Sequence, residues 1–325
     1  MKRILYSMAC SAMVLSSAFA APPTYPDKPL RLLVPAAPGG AADTLARAIG
    51  QRLGDKFGQP VVIENKPGAA AIIGMTAIAN APPDGYTLGM TFSGAMSINP
   101  SLYKSLPYDP LKDFDPIAIV AISPLVIATT PELGVKNLSE LLTLAKKSPD
   151  ALTFGSAGNG STQHLSMEML KATAGVNMLH VPYKGSSAAL IDVQSGRVSA
   201  ISDNAMTLIP LIQAGKLTPI AVETAERVPS LPNLPTVAES GYPGYEAAGW
   251  YGLIAPVGTP KHIVSELNTA IGDMLNNTDF TNWLRQQGME PKADSADGFR
   301  DYILKEKKKW AQVIQTAQIP ARETR

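Results

Sequence analysis

The chain is poor in the groups on which most protein chemistry depends. Among 325 residues there is one cysteine and there are three histidines, aromatic residues make up 6%, and 28 basic residues nearly balance 27 acidic ones. The cysteine, Cys10, falls in an N-terminal segment with the layout of a secretory signal peptide: Met1-Lys2-Arg3, an apolar stretch from Ile4 to Leu15, then Ala18-Phe19-Ala20 ahead of Ala21. Cleavage near Ala20/Ala21 leaves no thiol, which excludes disulfides, thiol catalysis and cysteine-held metals, and places the mature chain in the periplasm. It also removes Lys2 and Arg3 and takes the net charge from +1 to −1. The one remaining basic stretch, Lys305 to Lys309, lies at helical spacing between Phe299, Tyr302, Ile303 and Trp310, Val313, Ile314, the pattern of a solvated helix face, so no nucleic-acid partner is expected. No later segment offers the roughly 20 apolar residues of a membrane span. His180 and His262 lack ligand-spaced neighbours, and neither a metal nor a cofactor is expected.

What is present is a repeated rhythm of short β-branched or leucine-rich runs and helical patterns. Leu30 to Val34, a helix to Phe57, Val61 to Ile63, a helix through the seventies and Thr87 to Phe92 form a first α/β unit. After an extended apolar stretch from Pro116 to Thr130, a second unit runs to Val222, with strands at Leu152 to Ser156, Met178 to Pro182, Val198 to Ser202 and Leu217 to Val222. Beyond the Pro/Gly-rich stretch 229–249 and a strand near Trp250 to Ala255, only helices follow, with Thr259-Pro260 and Ser295 as their starts. A tail of helices cannot build its own sheet and must pack back on the first unit. The expected division is residues 1–20 as signal peptide, 21–124 with 249–325 as one lobe and 125–248 as the other, a cleft between them.

Each unit carries a glycine-rich turn between a strand and a helix. In the first, Pro38-Gly39-Gly40 with Asp43 opens a helix whose leading N–H groups lack internal partners, which suits an anion; a plain tight turn with Asp43 steadying the helix start is the competing reading. In the second, Ser156, Gly158, Gly160, Ser161 and Thr162 precede or open a helix, and His164 lies one turn in, as a ligand contact or as a packing residue. Asp203, after the strand Val198 to Ser202, is placed either to face a ligand or to cap the next helix; Ser93, beyond Thr87 to Phe92, is a similar case. Neither turn has the pattern of a nucleotide loop or of a serine-hydrolase elbow, so no enzyme is expected.

At these residues the sequence resembles the Bug family, periplasmic solute receptors associated with tripartite tricarboxylate transporters. The likeness rests on Tyr25-Pro26, Pro35 with Pro38-Gly39-Gly40 and Asp43, Glu64-Asn65-Lys66-Pro67-Gly68-Ala69, Pro83-Asp84-Gly85-Tyr86-Thr87, Asn99-Pro100-Ser101-Leu102-Tyr103, Gly155-Ser156-Ala157-Gly158, His180-Val181-Pro182-Tyr183-Lys184-Gly185 and Asp203-Asn204. The resemblance implies a type II periplasmic-binding-protein fold of the α/β class, monomeric, with a small carboxylate pinched between the two loops and delivered to membrane transporter subunits. It assigns ligand contacts to Pro38, Gly39, Gly40 and Asp43 and to Ser156, Gly158, Ser161, Thr162 and His164, with Asp203 near the ligand's polar end. One departure stands out: relatives carry Phe or Tyr after the proline of the first loop, where this chain has Ala36. A bulkier ligand, an aromatic carboxylate, is the expectation from that change. A sensor kinase in place of a permease reads the same loaded lobes and is an equal fit to the sequence.

Overall fold

The structure, a computed structural model, describes residues 25–149, 151–183 and 185–323. The signal-peptide reading and its cleavage point therefore lie outside the described residues. In chain order the elements are β1 (Leu30–Val34), α1 (Ala41–Phe57), β2 (Val61–Asn65), α2 (Ile72–Ala79), β3 (Thr87–Phe92), α3 (Asn99–Leu102), β4 (Phe114–Thr129), α4 (Leu138–Lys147) and β5 (Thr153–Ser156). They continue with α5 (Thr162–Ala174), β6 (Leu179–Pro182), α6 (Ser186–Gln194), β7 (Ala200–Asn204), α7 (Ala205–Gln213), β8 (Thr218–Val222), β9 (Ala248–Pro256), α8 (Lys261–Leu275), α9 (Thr278–Gln286), β10 (Glu290–Pro291) and α10 (Ala296–Thr316). Among the described residues no helix is long and apolar enough to cross a membrane.

The extended apolar stretch of the sequence is β4, and it explains the two-lobed form. Its first part, Phe114 to Pro124, pairs antiparallel with β9, which leads on through β3 and β1 to β2. Its last part, Leu125 to Thr129, lies between β7 and β8, and β7 leads on through β5 to β6. One strand thus serves two half-sheets, and its nearly unbroken burial accounts for the absence of apolar/polar alternation. The chain returns through β9, where Ala248 pairs with Pro124.

Several local expectations hold and some shift. Gly58 ends α1 in the left-handed conformation, with its N–H on the Gly54 carbonyl. Ser295 caps α10, its Oγ accepting from Gly298 N at 3.0 Å. Thr259 does not cap α8; its hydroxyl donates to the Pro256 carbonyl at 2.7 Å. Strand β7 begins two residues later than the sequence pattern suggests and runs through Asp203 and Asn204, because both continue the ladder with Val126 and Leu125.

The tail helix α10 is shared. Phe299 and Ile303 lie in the core formed with β3, β9 and α2, whereas Trp310, Val313 and Ile314 lie in the core of the second lobe with Leu141, Phe154 and Leu165. Gly252 lets it approach: a Cβ there would come within 2.4 Å of the Phe299 ring. The lysine run is more divided than the sequence implies, since Glu306 turns inward to accept from Trp310 Nε1 at 3.1 Å and pairs with Lys309 at 2.6 Å.

Candidate functional site

The second glycine-rich loop is held by a network that spends some of its amides and leaves others open. Gly158 and Gly160 adopt φ of +129° and +75°, conformations that side chains disfavour. Ser156 Oγ accepts from Gly158 N at 3.1 Å and lies 2.7 Å from His180 Nε2. Ser161 caps α5 by accepting from His164 N at 3.2 Å, and His164 Nδ1 in turn accepts from Gly160 N at 3.1 Å. The His164 and His180 rings stack with centroids 3.9 Å apart, over Phe154. Burial, aided by His180 and Lys171, pushes His164 down to about 3, and burial with Lys171 pushes His180 down to about 4. A neutral His164 is what acceptance at Nδ1 requires. The amides of Thr162 and Gln163, in the first turn of α5, have no intrahelical partner and are left for a ligand or water.

This loop forms one wall of a cavity of about 690 Å³ between the lobes. Gly158, Ser161 and Thr162 line it from the second lobe and Ser93 from the first. Ser156, His164 and Asp203 are buried and do not line it; they stand behind the wall. Asp203 Oδ1 accepts from Gln163 Nε2 at 3.1 Å and from Asn204 N at 2.8 Å, so it orients two residues that do line the cavity. Neither sequence reading of Asp203 describes this: α7 has Asn204 at its N-cap position with no side-chain cap. Burial pushes the Asp203 carboxyl up against the opposing effect of Asn204, Gln163 and nearby Ser186, although its Oδ2 meets no hydrogen-bond geometry.

The first loop is organised differently, and Pro38, Gly39, Gly40 and Asp43 are not among the residues lining the cavity. Asp43, 3% exposed, accepts from Gly39 N at 2.8 Å, Arg47 Nε at 3.0 Å and Asn65 Nδ2 at 2.9 Å. The Arg47 hydrogen bond, supported by Gly39 and Asn65 against burial, holds its carboxyl down to about 2. Asn65 also donates to the Ala36 carbonyl at 3.1 Å, so Ala36 contributes backbone to this knot. Ala36 does not line the cavity either.

Sequence reasoning missed much of the remaining lining. Ala70 and Ala71 line the cavity and, with Ala69 before them, form a run with φ of +46°, +53° and +75° from Ala69 to Ala71; Asn99 Nδ2 reaches across to the Ala70 carbonyl at 2.9 Å. Three alanines carry no sequence sign of such a turn, and nothing in Asn99-Pro100-Ser101-Leu102-Tyr103 marks the carbonyl that Asn99 meets. Trp250 and Tyr251 enter from the start of β9, and Arg322 arrives from the chain's end. Among the described residues no group of three or more His, Cys, Asp or Glu side chains is placed to hold a metal ion.

Two lobes sharing one strand, with a polar cavity between them, define a two-lobed solute-binding protein. Residues 45–319 match the family described as "Tripartite tricarboxylate transporter family receptor", and the chain belongs to that family, one of solute-binding receptors rather than enzymes. It is 36% identical to BugT of Bordetella pertussis over 292 residues, 90% of each chain. Among solved structures it is similar to R. palustris Rpa4515 with adipate, with TM-score 0.81 and 39% identity over 92% of this chain and all of the other. It is also similar to MatC from Rhodopseudomonas palustris with bound malate, with TM-score 0.75 and 31% identity over 89% of this chain and 100% of the other. These findings agree with the expected Bug resemblance and with the type II α/β fold.

Proposed function

We propose that the protein captures a small carboxylate in its interlobe cavity in the periplasm and passes it to the membrane subunits of a tripartite tricarboxylate-type transporter. The observation that carries this reading is the chemistry of the cavity wall. The first turn of α5, with the Ser161 and Thr162 hydroxyls, meets Ser93, Asn99 and Arg322, and no Asp or Glu lines the cavity among the described residues. A helix N-terminus attracts an anion through its free N–H groups and macrodipole. Adipate and malate in the similar structures are ligands of the same class.

In this reading Gly158, Ser161, Thr162 and Ser93 touch the ligand, while Ser156, His164 and Asp203 fix the wall from behind. Pro38, Gly39, Gly40 and Asp43 complete the grip when the lobes close. The lobes are 21–124 with 249–325 and 125–248, and their hinge lies where β4 and β9 exchange partners. The receptor acts as a monomer after removal of its signal peptide. Phe92, Tyr183 and Tyr251 line the cavity and are not fully buried, and their rings offer the flat surface an aromatic carboxylate needs. That surface, rather than the space left by Ala36, supports the aromatic reading.

The test is calorimetry of the purified protein against adipate, malate, benzoate and terephthalate. Binding of at least one is expected, with stabilisation of about 2.7 kcal/mol at a hundred times its Kd. Absence of binding across the four would sink the carboxylate reading, and binding of aliphatic acids alone would remove the aromatic one.

A further inference from the structure

Arg322 is the only charged side chain lining the cavity among the described residues, and it comes from far away in sequence. After α10 ends at Thr316, Ile319 N returns to the Ile314 carbonyl at 3.0 Å and the chain folds back as a strap. Arg322 N donates to the Leu102 carbonyl at 2.8 Å, Lys104 N donates to the Arg322 carbonyl at 3.0 Å, and Lys104 pairs with Glu323 at 2.5 Å. The backbone of the strap is thereby fixed to the α3 segment. Its guanidinium reaches the other way: Nη1 donates to the carbonyl of Asn159, in the second glycine-rich loop, at 3.1 Å, with the Tyr103 ring centroid 5.6 Å away.

A guanidinium has five N–H donors, and the bond to Asn159 uses one of them. No Asp or Glu of the described residues lies within 4.0 Å of it, whereas Arg31, Arg47, Arg197, Arg227, Arg285 and Arg300 each have such a partner; Arg52 also lacks one, but it lies over the Phe280 ring and donates to the Ala48 carbonyl, away from any part of the cavity. A cation placed at a cavity without a protein counterion is arranged for a ligand's charge. The cavity then holds two different attractors for anions: the neutral amides and hydroxyls at the start of α5, and a full positive charge with a planar fork that matches a carboxylate in two parallel bonds. A monocarboxylate needs one of these.

Resting on the carboxylate reading above, we propose that Arg322 is the specificity-determining cation of the cleft, pairing with a second carboxylate of the ligand while the α5 turn takes the first. The receptor therefore selects dicarboxylates over monocarboxylates of the same carbon skeleton, and the selection is supplied by the C-terminal strap and not by either glycine-rich loop.

The experiment compares adipate with hexanoate, two six-carbon acids that differ by one carboxylate, by calorimetry on the full chain and on Arg322→Gln and Arg322→Lys. The unchanged protein should favour adipate by roughly tenfold or more, a preference of the size expected for a charged hydrogen-bonded pair. Arg322→Gln should bring adipate down to the hexanoate level with hexanoate itself unmoved, and Arg322→Lys should retain part of the preference because it keeps the charge and loses the fork. A purely structural strap would weaken both ligands alike in Arg322→Gln, which overturns the proposal, as does an unchanged adipate preference. If the unchanged protein binds neither acid, terephthalate against benzoate makes the same comparison; binding of none of these fails the carboxylate reading and takes this assignment with it, whereas a diacid bound equally well by the unchanged protein and the variants fails the assignment alone.

Discussion

The two glycine-rich turns have nearly the same outline in sequence and opposite chemistry in space. Around the first, a charged carboxylate, Asp43, gathers the Gly39 amide, Arg47 and Asn65, and the turn does not border the cavity. Around the second, a neutral imidazole, His164, takes the Gly160 amide from behind, and the front of the turn faces the cavity. A glycine-rich strand-to-helix turn is thus not yet a binding loop. What separates the two turns is that the second borders the interlobe cavity and the first does not.

The largest expected effect comes from filling the second turn. At Gly160 a Cβ would sit 2.1 Å from Leu102 Cδ2, in addition to the strain of a positive φ, so Gly160→Ala should lose about 2–4 kcal/mol of stability and at least tenfold in carboxylate affinity. Thermal unfolding and calorimetry on the same sample read both quantities; an affinity that survives intact would detach the second loop from the site.

The anchors should also part company in acid. His164 is held below its ordinary value, so its contribution is complete above about 6.5 and is lost as the pH falls toward about 3. Asp43 is held down too, and as an acid it contributes fully above 3.8 and loses that contribution only as the pH falls through about 2. At pH 4.5 the second loop is therefore weakened while the first is intact. Glu223, buried beneath the second lobe with Ser202 and Tyr245 as partners and pushed up to about 7, works in the opposite sense: its contribution is lost as the pH rises. The informative measurement is the difference between the unchanged protein and His164→Asn, which keeps an acceptor that cannot be protonated. The unchanged protein should lose on the order of 2 kcal/mol more than the variant between pH 7 and 4.5. Parallel melting curves would show that His164 does not anchor the loop.

The smallest effect belongs to the first turn. Gly39 has φ of +81° and open space where a Cβ would go, so Gly39→Ala should cost about 1 kcal/mol of backbone strain and change carboxylate affinity by less than about threefold. A loss matching that of Gly160→Ala would put both loops on an equal footing in the grip.

The periodicity of α1, the stop at Gly58, the cap at Ser295 and the alternation of strands and helices were legible because each is a local matter of spacing or capping. Ser93, Gly158, Ser161 and Thr162 were candidates for the same local reason, as strand ends and helix starts, and the fold brings them to the cavity wall. Asp203 and His164 were recognisable as special but not as supports, since their partners Gln163 and Gly160 are chosen by the side-chain geometry of the folded state. Arg322 left no sign, because it is 163 positions from the Asn159 carbonyl it meets. Likewise, the exclusion of Asp43 from the cavity depends on Arg47 and Asn65 converging from two elements.

The division of α10 between two cores has a consequence for the order in which the molecule can be completed. Neither half can close its interior until Phe299 and Ile303, or Trp310, Val313 and Ile314, are present, and all of them belong to one helix that follows both half-sheets in chain order. A growing chain short of this segment exposes apolar surface in both halves at once.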